Sequence, residues 1–73
     1  MDHFDQTVLM ASVLELQPQY AQALIMRYFN DMNIDEIADA MNCSHSTIKR
    51  RLAKGKKLLE KLLKNKIGGD WFE

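Results

Sequence analysis

The sequence is poor in the residues that build many kinds of functional site. Its single cysteine, Cys43, excludes an internal disulfide and any zinc site made from several cysteines. Proline occurs once, glycine three times, and aromatic residues make up only 8%. No apolar run approaches the roughly 18 residues that a membrane span requires. Acidic Asp2 and Asp5 stand where a signal peptide carries basic residues, so we expect a cytoplasmic protein that does not bind a membrane.

The remaining composition is that of one small globular domain. The chain has 73 residues, of which 47% are apolar and 27% are charged. A domain of this size buries only about 60% of its unfolded surface, which leaves little room for a catalytic cleft. His3 and His45 lie far apart, and no other residues have metal-ligand spacing. No nucleophile has a credible base beside it, so we expect no enzyme and no metal or cofactor site.

The net charge of zero hides a separation of charge along the chain. Residues 1–43 carry a net charge of −6, and residues 44–73 carry +6. All nine basic residues of the second half fall between Lys49 and Lys66. Such a basic segment attracts polyanions, of which nucleic acid is the commonest, although a solvated lysine-rich helix has the same composition.

Apolar residues recur at helical spacing throughout, which predicts an all-α, compact four-helix domain. We expect helices over residues 5–16, from Pro18 to about Asn30-Asp31, from Ile34 to Met41, and over residues 45–66. Asn33 and Glu36 have capping-box spacing, and Ser44 is the expected N-cap of the last helix. The residues predicted to face inward are Val8, Leu9, Ser12, Val13 and Leu16, then Ala21, Leu24, Ile25 and Tyr28, then Ile34, Ile37, Ala38 and Met41, and finally Ile48, Leu52, Gly55, Leu59 and Leu62.

The domain is predicted to occupy residues 1–73, with an ordered core over about 5–66 and a tail over 67–73 that contains Trp71 and Phe72. Near the end of the last helix, Leu58, Leu59, Leu62 and Leu63 form a wide apolar stripe. We favour packing of this stripe on the first helix over a partner-binding surface. Cys43 is expected to be a small buried residue.

Between Met41 and His45 only three residues intervene, which is the spacing of a helix-turn-helix. The long basic C-terminal helix is therefore the candidate recognition helix. With Ile48 and Leu52 facing inward, the rotation of the helix turns hydroxyl and cationic side chains toward solvent, where they suit a major groove. The candidate DNA-binding residues are His45, Ser46, Thr47, Lys49, Arg50, Arg51, Lys54 and Lys57.

Two longer stretches resemble a known family. Residues 27–38 (RYFNDMNIDEIA), residues 41–58 (MNCSHSTIKRRLAKGKKL) and the opening Leu16-Gln17-Pro18 are similar to region 4 of sigma-70 family RNA polymerase sigma factors, of the extracytoplasmic-function type. The resemblance covers about residues 12–63. It implies that the last helix reads a −35-type promoter element in double-stranded DNA, and that the domain docks on the RNA polymerase β-subunit flap. It further implies capture by an anti-sigma factor in some cases and a place at the bacterial nucleoid.

The sequence departs from the family at three places. Asp31 and Asn42 replace the usual glycines, and both tolerate a left-handed backbone. His45-Ser46 replaces a small or apolar pair, which leaves the DNA preference open. Because 73 residues leave no room for a −10-binding domain, we expect an excised region 4 or a freestanding regulator.

Two other interpretations remain open at this point. The first is a response-regulator-type helix-turn-helix effector domain, which shares the four-helix layout. The second is a protein-interaction module, whose acidic half and leucine stripe bind polymerase or an anti-sigma-like partner.

Overall fold

The computed structural model describes residues 6–67, which form helices joined by short turns and contain no strand. The helices are α1 (Gln6–Leu14), α2 (Pro18–Leu24), α3 (Ile34–Met41) and α4 (His45–Ile67), and α2 continues into a π-helical segment, Ile25–Phe29. The predicted all-α fold is confirmed. The predicted helix start at Asp5 and most of the predicted tail, from Gly68 onward, lie outside the described residues.

α1 ends two residues earlier than predicted. The backbone N–H groups of Glu15 and Leu16 donate to the carbonyls of Ser12 and Val13, at 3.1 and 3.0 Å. These bonds span three residues instead of four and tighten the chain into a turn. Pro18 then occupies the first turn of α2, as predicted, where its missing N–H costs no hydrogen bond.

The π-helical segment corrects one inward prediction. Tyr28, expected in the core, is 58% exposed. The N–H of Asn30 donates to the Ile25 carbonyl at 3.0 Å, a bond that spans five residues. The wider turn adds one residue and advances the apolar stripe by one position, so Phe29 packs on the core in place of Tyr28. Asp31, at φ 59°, then ends the helix in the left-handed conformation, as predicted.

The core has two clusters of buried residues that α4 joins. Val13, Ala21 and Leu24 form the first, and Ile37, Ala38 and Ile48 form the second. Leu52 of α4 packs against both clusters. Ser12 and Leu63 are also fully buried, both 0% exposed. The hydroxyl of Ser12 has no hydrogen-bond partner within residues 6–67.

Most of the leucine stripe near the end of α4 is buried or half-buried in the domain, where α4 contacts α1. Leu63 is fully buried, and Leu59 packs against the first cluster. Leu58 and Leu62 are half-buried. The predicted packing on the first helix therefore accounts for the stripe better than a partner surface does.

Gly55 sets how closely α2 and α4 approach each other. A Cβ atom at this position would lie 3.2 Å from Leu24 Cδ1 and 3.3 Å from Tyr20 Cβ. Both distances are shorter than ordinary carbon–carbon contact. The absent side chain thus lets α2 lie directly on α4, which places Tyr20 beside α4. No helix among residues 6–67 combines the length and the apolar character needed to cross a bilayer.

Gly55→Ala is expected to destabilise the domain, although alanine has the higher helix propensity by about 1 kcal/mol. Overpacking of a tight core contact costs about 1–3 kcal/mol, and Leu24 is too enclosed to move aside. The measurement is the thermal midpoint followed by circular dichroism. Ala53→Gly, at an exposed position of the same helix, calibrates the propensity effect. A midpoint raised by Gly55→Ala would contradict the close approach.

Candidate nucleic-acid interface

The turn between α3 and α4 is closed by hydrogen bonds at both of its ends. Asn42 adopts the left-handed conformation, at φ 56°, and the N–H of Cys43 donates to the Ala38 carbonyl at 2.9 Å. This pattern satisfies carbonyls that the end of α3 leaves free. Cys43 is half-buried against the second core cluster, and its Sγ donates to the Met41 carbonyl at 3.3 Å. It is thus less enclosed than predicted.

The start of α3 carries the predicted capping box. The N–H of Glu36 donates to Asn33 Oδ1 at 2.8 Å, and the N–H of Asn33 donates to Glu36 Oε1 at 2.9 Å. The two bonds satisfy donors that a helix start otherwise leaves free. They fix the direction in which α3 leaves the turn after Asp31.

Ser44 caps α4, as predicted. The N–H of Thr47 donates to Ser44 Oγ at 3.1 Å, and the N–H of Ile48 donates to the Ser44 carbonyl at 3.1 Å. Ser44 Oγ also lies 2.8 Å from Thr47 Oγ1 and 3.3 Å from Ser46 Oγ. These bonds hold the first turn of α4 in one conformation, which is the turn that meets a nucleic acid first in a helix-turn-helix.

The eight predicted DNA-contacting residues all lie on α4. Six of them are exposed: His45, Ser46, Lys49, Arg50, Lys54 and Lys57. The other two, Thr47 and Arg51, are half-buried. Because successive helical residues are rotated by about 100°, Ser46, Arg50 and Lys57 lie at the centre of the outward face. The remaining residues form two flanks, one toward α3 and one toward α2. Ala53, which the prediction omitted, is also exposed on this face.

The flank toward α3 is partly neutralised within the chain. His45 Nε2 contacts Asp35 Oδ1, an ion pair when the imidazole is protonated. Both side chains are exposed, so the contact contributes little stability. It does draw the His45 ring toward the acidic start of α3. Lys49, on the same flank, has no such partner among the described residues.

The flank toward α2 forms a shallow groove that sequence reasoning did not foresee. The groove is lined by Tyr20, Thr47, Arg50, Arg51 and Lys54. The Lys54 ammonium lies over the Tyr20 ring, 5.8 Å from its centroid, and Arg50 Nη2 donates to Thr47 Oγ1 at 3.4 Å. Tyr20 was missed because it lies on another helix. The one sequence signal for it was Gly55, which marks where that helix crosses α4.

The charge separation of the sequence becomes a separation between surfaces. Eight basic side chains are described on α4, whose one acidic residue is Glu60. α3 and the turn before it carry exposed Asp31, Asp35, Glu36 and Asp39. The outward face of α4 therefore concentrates positive potential, as a polyanion-binding surface requires.

Among residues 6–67, no three His, Cys, Asp or Glu side chains are grouped so that they could hold a metal ion.

A capped, outward-facing basic helix that follows a three-residue turn defines a DNA-binding helix-turn-helix domain. Comparison with known proteins identifies the family. A family profile described as "Sigma-70, region 4" matches residues 6–59, and the chain belongs to this family of transcription factors. The predicted family is thereby confirmed, and the response-regulator interpretation is not supported.

A curated relative is RNA polymerase sigma factor SigV of Bacillus subtilis (strain 168). It is 34% identical to this chain over 58 residues, which are 80% of this chain and 35% of the relative. The chain thus spans about a third of the relative's length. No solved structure gives a significant match to the chain.

Ser44→Ala is expected to destabilise the domain by about 1 kcal/mol, because a helix N-cap is lost. It should also weaken duplex binding, because the first turn of α4 loses its fixed conformation. Unfolding in urea measures the first effect, and fluorescence anisotropy with a duplex measures the second. Ser44→Asp retains the cap and serves as the matched control for stability. Equal stability of Ser44→Ala and the wild type would contradict the capping role.

Proposed function

We propose that this domain reads a −35-type promoter element in double-stranded DNA through α4 and docks on RNA polymerase. The observation that carries the proposal is the exposed row of cationic and hydroxyl side chains on the capped N-terminal turns of α4. B-DNA has a major groove about 12 Å wide, which admits one α-helix. The helix dipole adds attraction for phosphate at the same end.

The position of each side chain suggests its role. Lys49 and Arg50, exposed on the second turn, are suited to guanine O6 and N7. His45 and Ser46, at the helix entrance, reach the first bases or their phosphates. Lys57, two turns further along, lies where the duplex backbone leaves the groove and contacts phosphate. No catalytic step is part of this mechanism, and we place it in the cytoplasm at the bacterial nucleoid.

The proposal is tested by selection from a randomised duplex pool at low salt, followed by affinity measurement on the enriched motif. We expect a short motif similar to −35 elements. Lys49→Glu combined with Arg50→Glu should lower affinity at least about 30-fold, since a base-reading contact contributes about 1–3 kcal/mol.

The matched control reverses the same two charges further along α4, in Lys61→Glu combined with Lys64→Glu, beyond the turns that enter the groove. This control should weaken binding less and leave the motif unchanged. Equal losses in the two double variants would contradict the assignment of the N-terminal turns. Binding without any enriched motif would support the protein-interaction interpretation instead.

A second surface supports docking on a protein. Thr7, Met10, Ala11, Leu14 and Phe29 line an open, mostly apolar depression between α1 and the π-helical segment. Leu14 is 63% exposed there, which is unusual for a large apolar side chain in so small a domain. The depression shares no residue with the basic face. We assign it as the contact for the RNA polymerase β-subunit flap or for an anti-sigma factor.

Leu14→Glu is expected to abolish binding to a flap fragment, because it places a charge in an apolar contact. Duplex binding should be unchanged, since Leu14 lies on α1 and has no contact with the basic face. Surface plasmon resonance with the immobilised flap fragment measures the first, and anisotropy the second. Gln22→Glu, at an exposed position of α2, controls for the added charge. Undiminished flap binding by Leu14→Glu would place the docking surface elsewhere.

A further inference from the structure

We propose that Tyr20 of α2 is a positioning residue for DNA binding, and that the groove beside it takes one phosphate of the duplex backbone. The inference rests on the proposed function and extends the interface beyond the recognition helix. Tyr20 acts through Lys54 and does not touch the DNA itself. The Tyr20 ring holds the Lys54 ammonium at the edge of the groove, where the ammonium contacts the DNA.

The first support is charge. Arg50, Arg51 and Lys54 converge on the groove, and no carboxylate lines it. The groove therefore attracts an anion from outside the described residues. Among the anions a helix-turn-helix domain meets, the backbone phosphate is the one placed along the flank of a helix that lies in the major groove.

The second support is the cation–π contact. The Lys54 ammonium lies 5.8 Å from the centroid of the Tyr20 ring, which is within the range of such contacts. A lysine on a helix surface otherwise samples many rotamers, and ordering it on binding costs conformational entropy. The ring limits those rotamers before the DNA arrives. Lys54 therefore binds with less loss of entropy than Lys57, which has no aromatic partner among the described residues.

The third support is the rigidity of the platform. The Tyr20 Cβ would be only 3.3 Å from a Cβ on Gly55, so the root of the side chain rests directly on α4. The start of the Tyr20 side chain is thereby placed beside the helix that carries Lys54. Arg50 is restrained from the other side by its bond to Thr47 Oγ1. Two of the three cations in the groove thus have a contact within the chain before an anion binds.

The proposal assigns different tasks to different residues of one helix. Lys49 and Ser46 face the base edges, whereas Lys54 and Arg51, on the flank toward α2, face the backbone. Arg50 lies at the boundary, on the outward face and at the rim of the groove. Loss of a phosphate contact weakens binding to every sequence by the same factor. The same loss also lowers the salt dependence of binding. A base contact changes the preferred motif. The two kinds of contact are therefore distinguishable by experiment.

The experiment measures anisotropy of the full chain with the selected duplex and with a scrambled one, over a series of salt concentrations. Lys54→Ala should weaken binding to both duplexes by the same factor and reduce the slope of log K against log salt by about 0.9. Tyr20→Leu should weaken binding to both about two- to fivefold, the value expected for one cation–π contact. Tyr20→Phe keeps the ring and should bind as the wild type does.

Two controls separate position from general effects. Lys56→Ala removes a positive charge from the opposite flank of α4 and should leave the effect of Tyr20→Leu intact. Circular dichroism of each variant reports whether the helices are retained. In the double variant, Tyr20→Leu should add nothing to Lys54→Ala, because the ring acts through the ammonium.

A scan of the duplex with single neutral methylphosphonates locates the phosphate. One substitution should weaken binding of the wild type more than it weakens binding of Lys54→Ala, in which Arg50 and Arg51 still line the groove. If the wild type binds no duplex, the proposed function fails. If the wild type binds and Tyr20→Leu retains both affinity and salt slope, only the present inference is overturned. If inorganic phosphate displaces the duplex at concentrations similar to those of competing duplex, the inference is also overturned, since the groove would then recognise free anions.

Discussion

The contact of α2 with α4 at Gly55 is the constraint on which the remaining structure depends. It brings Leu24 onto α4 and so builds the first core cluster. It also places Tyr20 at the flank of the basic face. Since α4 joins both clusters through Leu52, the helix that carries the basic face is itself part of the core. Changes that loosen the core therefore also move the side chains of the basic face.

Short polar contacts fix the directions in which the helices meet. Asp31 and Asn42 end their helices in the left-handed conformation without glycine, at φ 59° and 56°. Asn33 and Ser44 then begin the next helices through side-chain caps. A domain of this size has little buried area with which to orient its elements. The turns supply that orientation through hydrogen bonds, which leaves the outward face of α4 free for contact with other molecules.

The sequence predicts the helices, both left-handed residues and both caps, because these depend on local chemistry. Helical periodicity also predicts the inward faces well, with Tyr28 as the main error. That error arises because a π-helical turn changes the number of residues per turn, and no residue in the segment signals it. The groove beside Tyr20 could not be predicted, because periodicity gives the face of a helix without the identity of its neighbour.

Repulsion between like charges on the basic face destabilises α4 in the isolated domain. Arg50, Lys54, Lys57 and Lys61 follow one another at spacings of three or four residues, where like charges repel. Apart from Glu60, no acidic residue of α4 relieves this repulsion among the described residues. The apolar face of α4, buried against both clusters, holds the helix together in spite of it. A bound polyanion removes the repulsion, so the arrangement that weakens the free helix favours a complex with a polyanion.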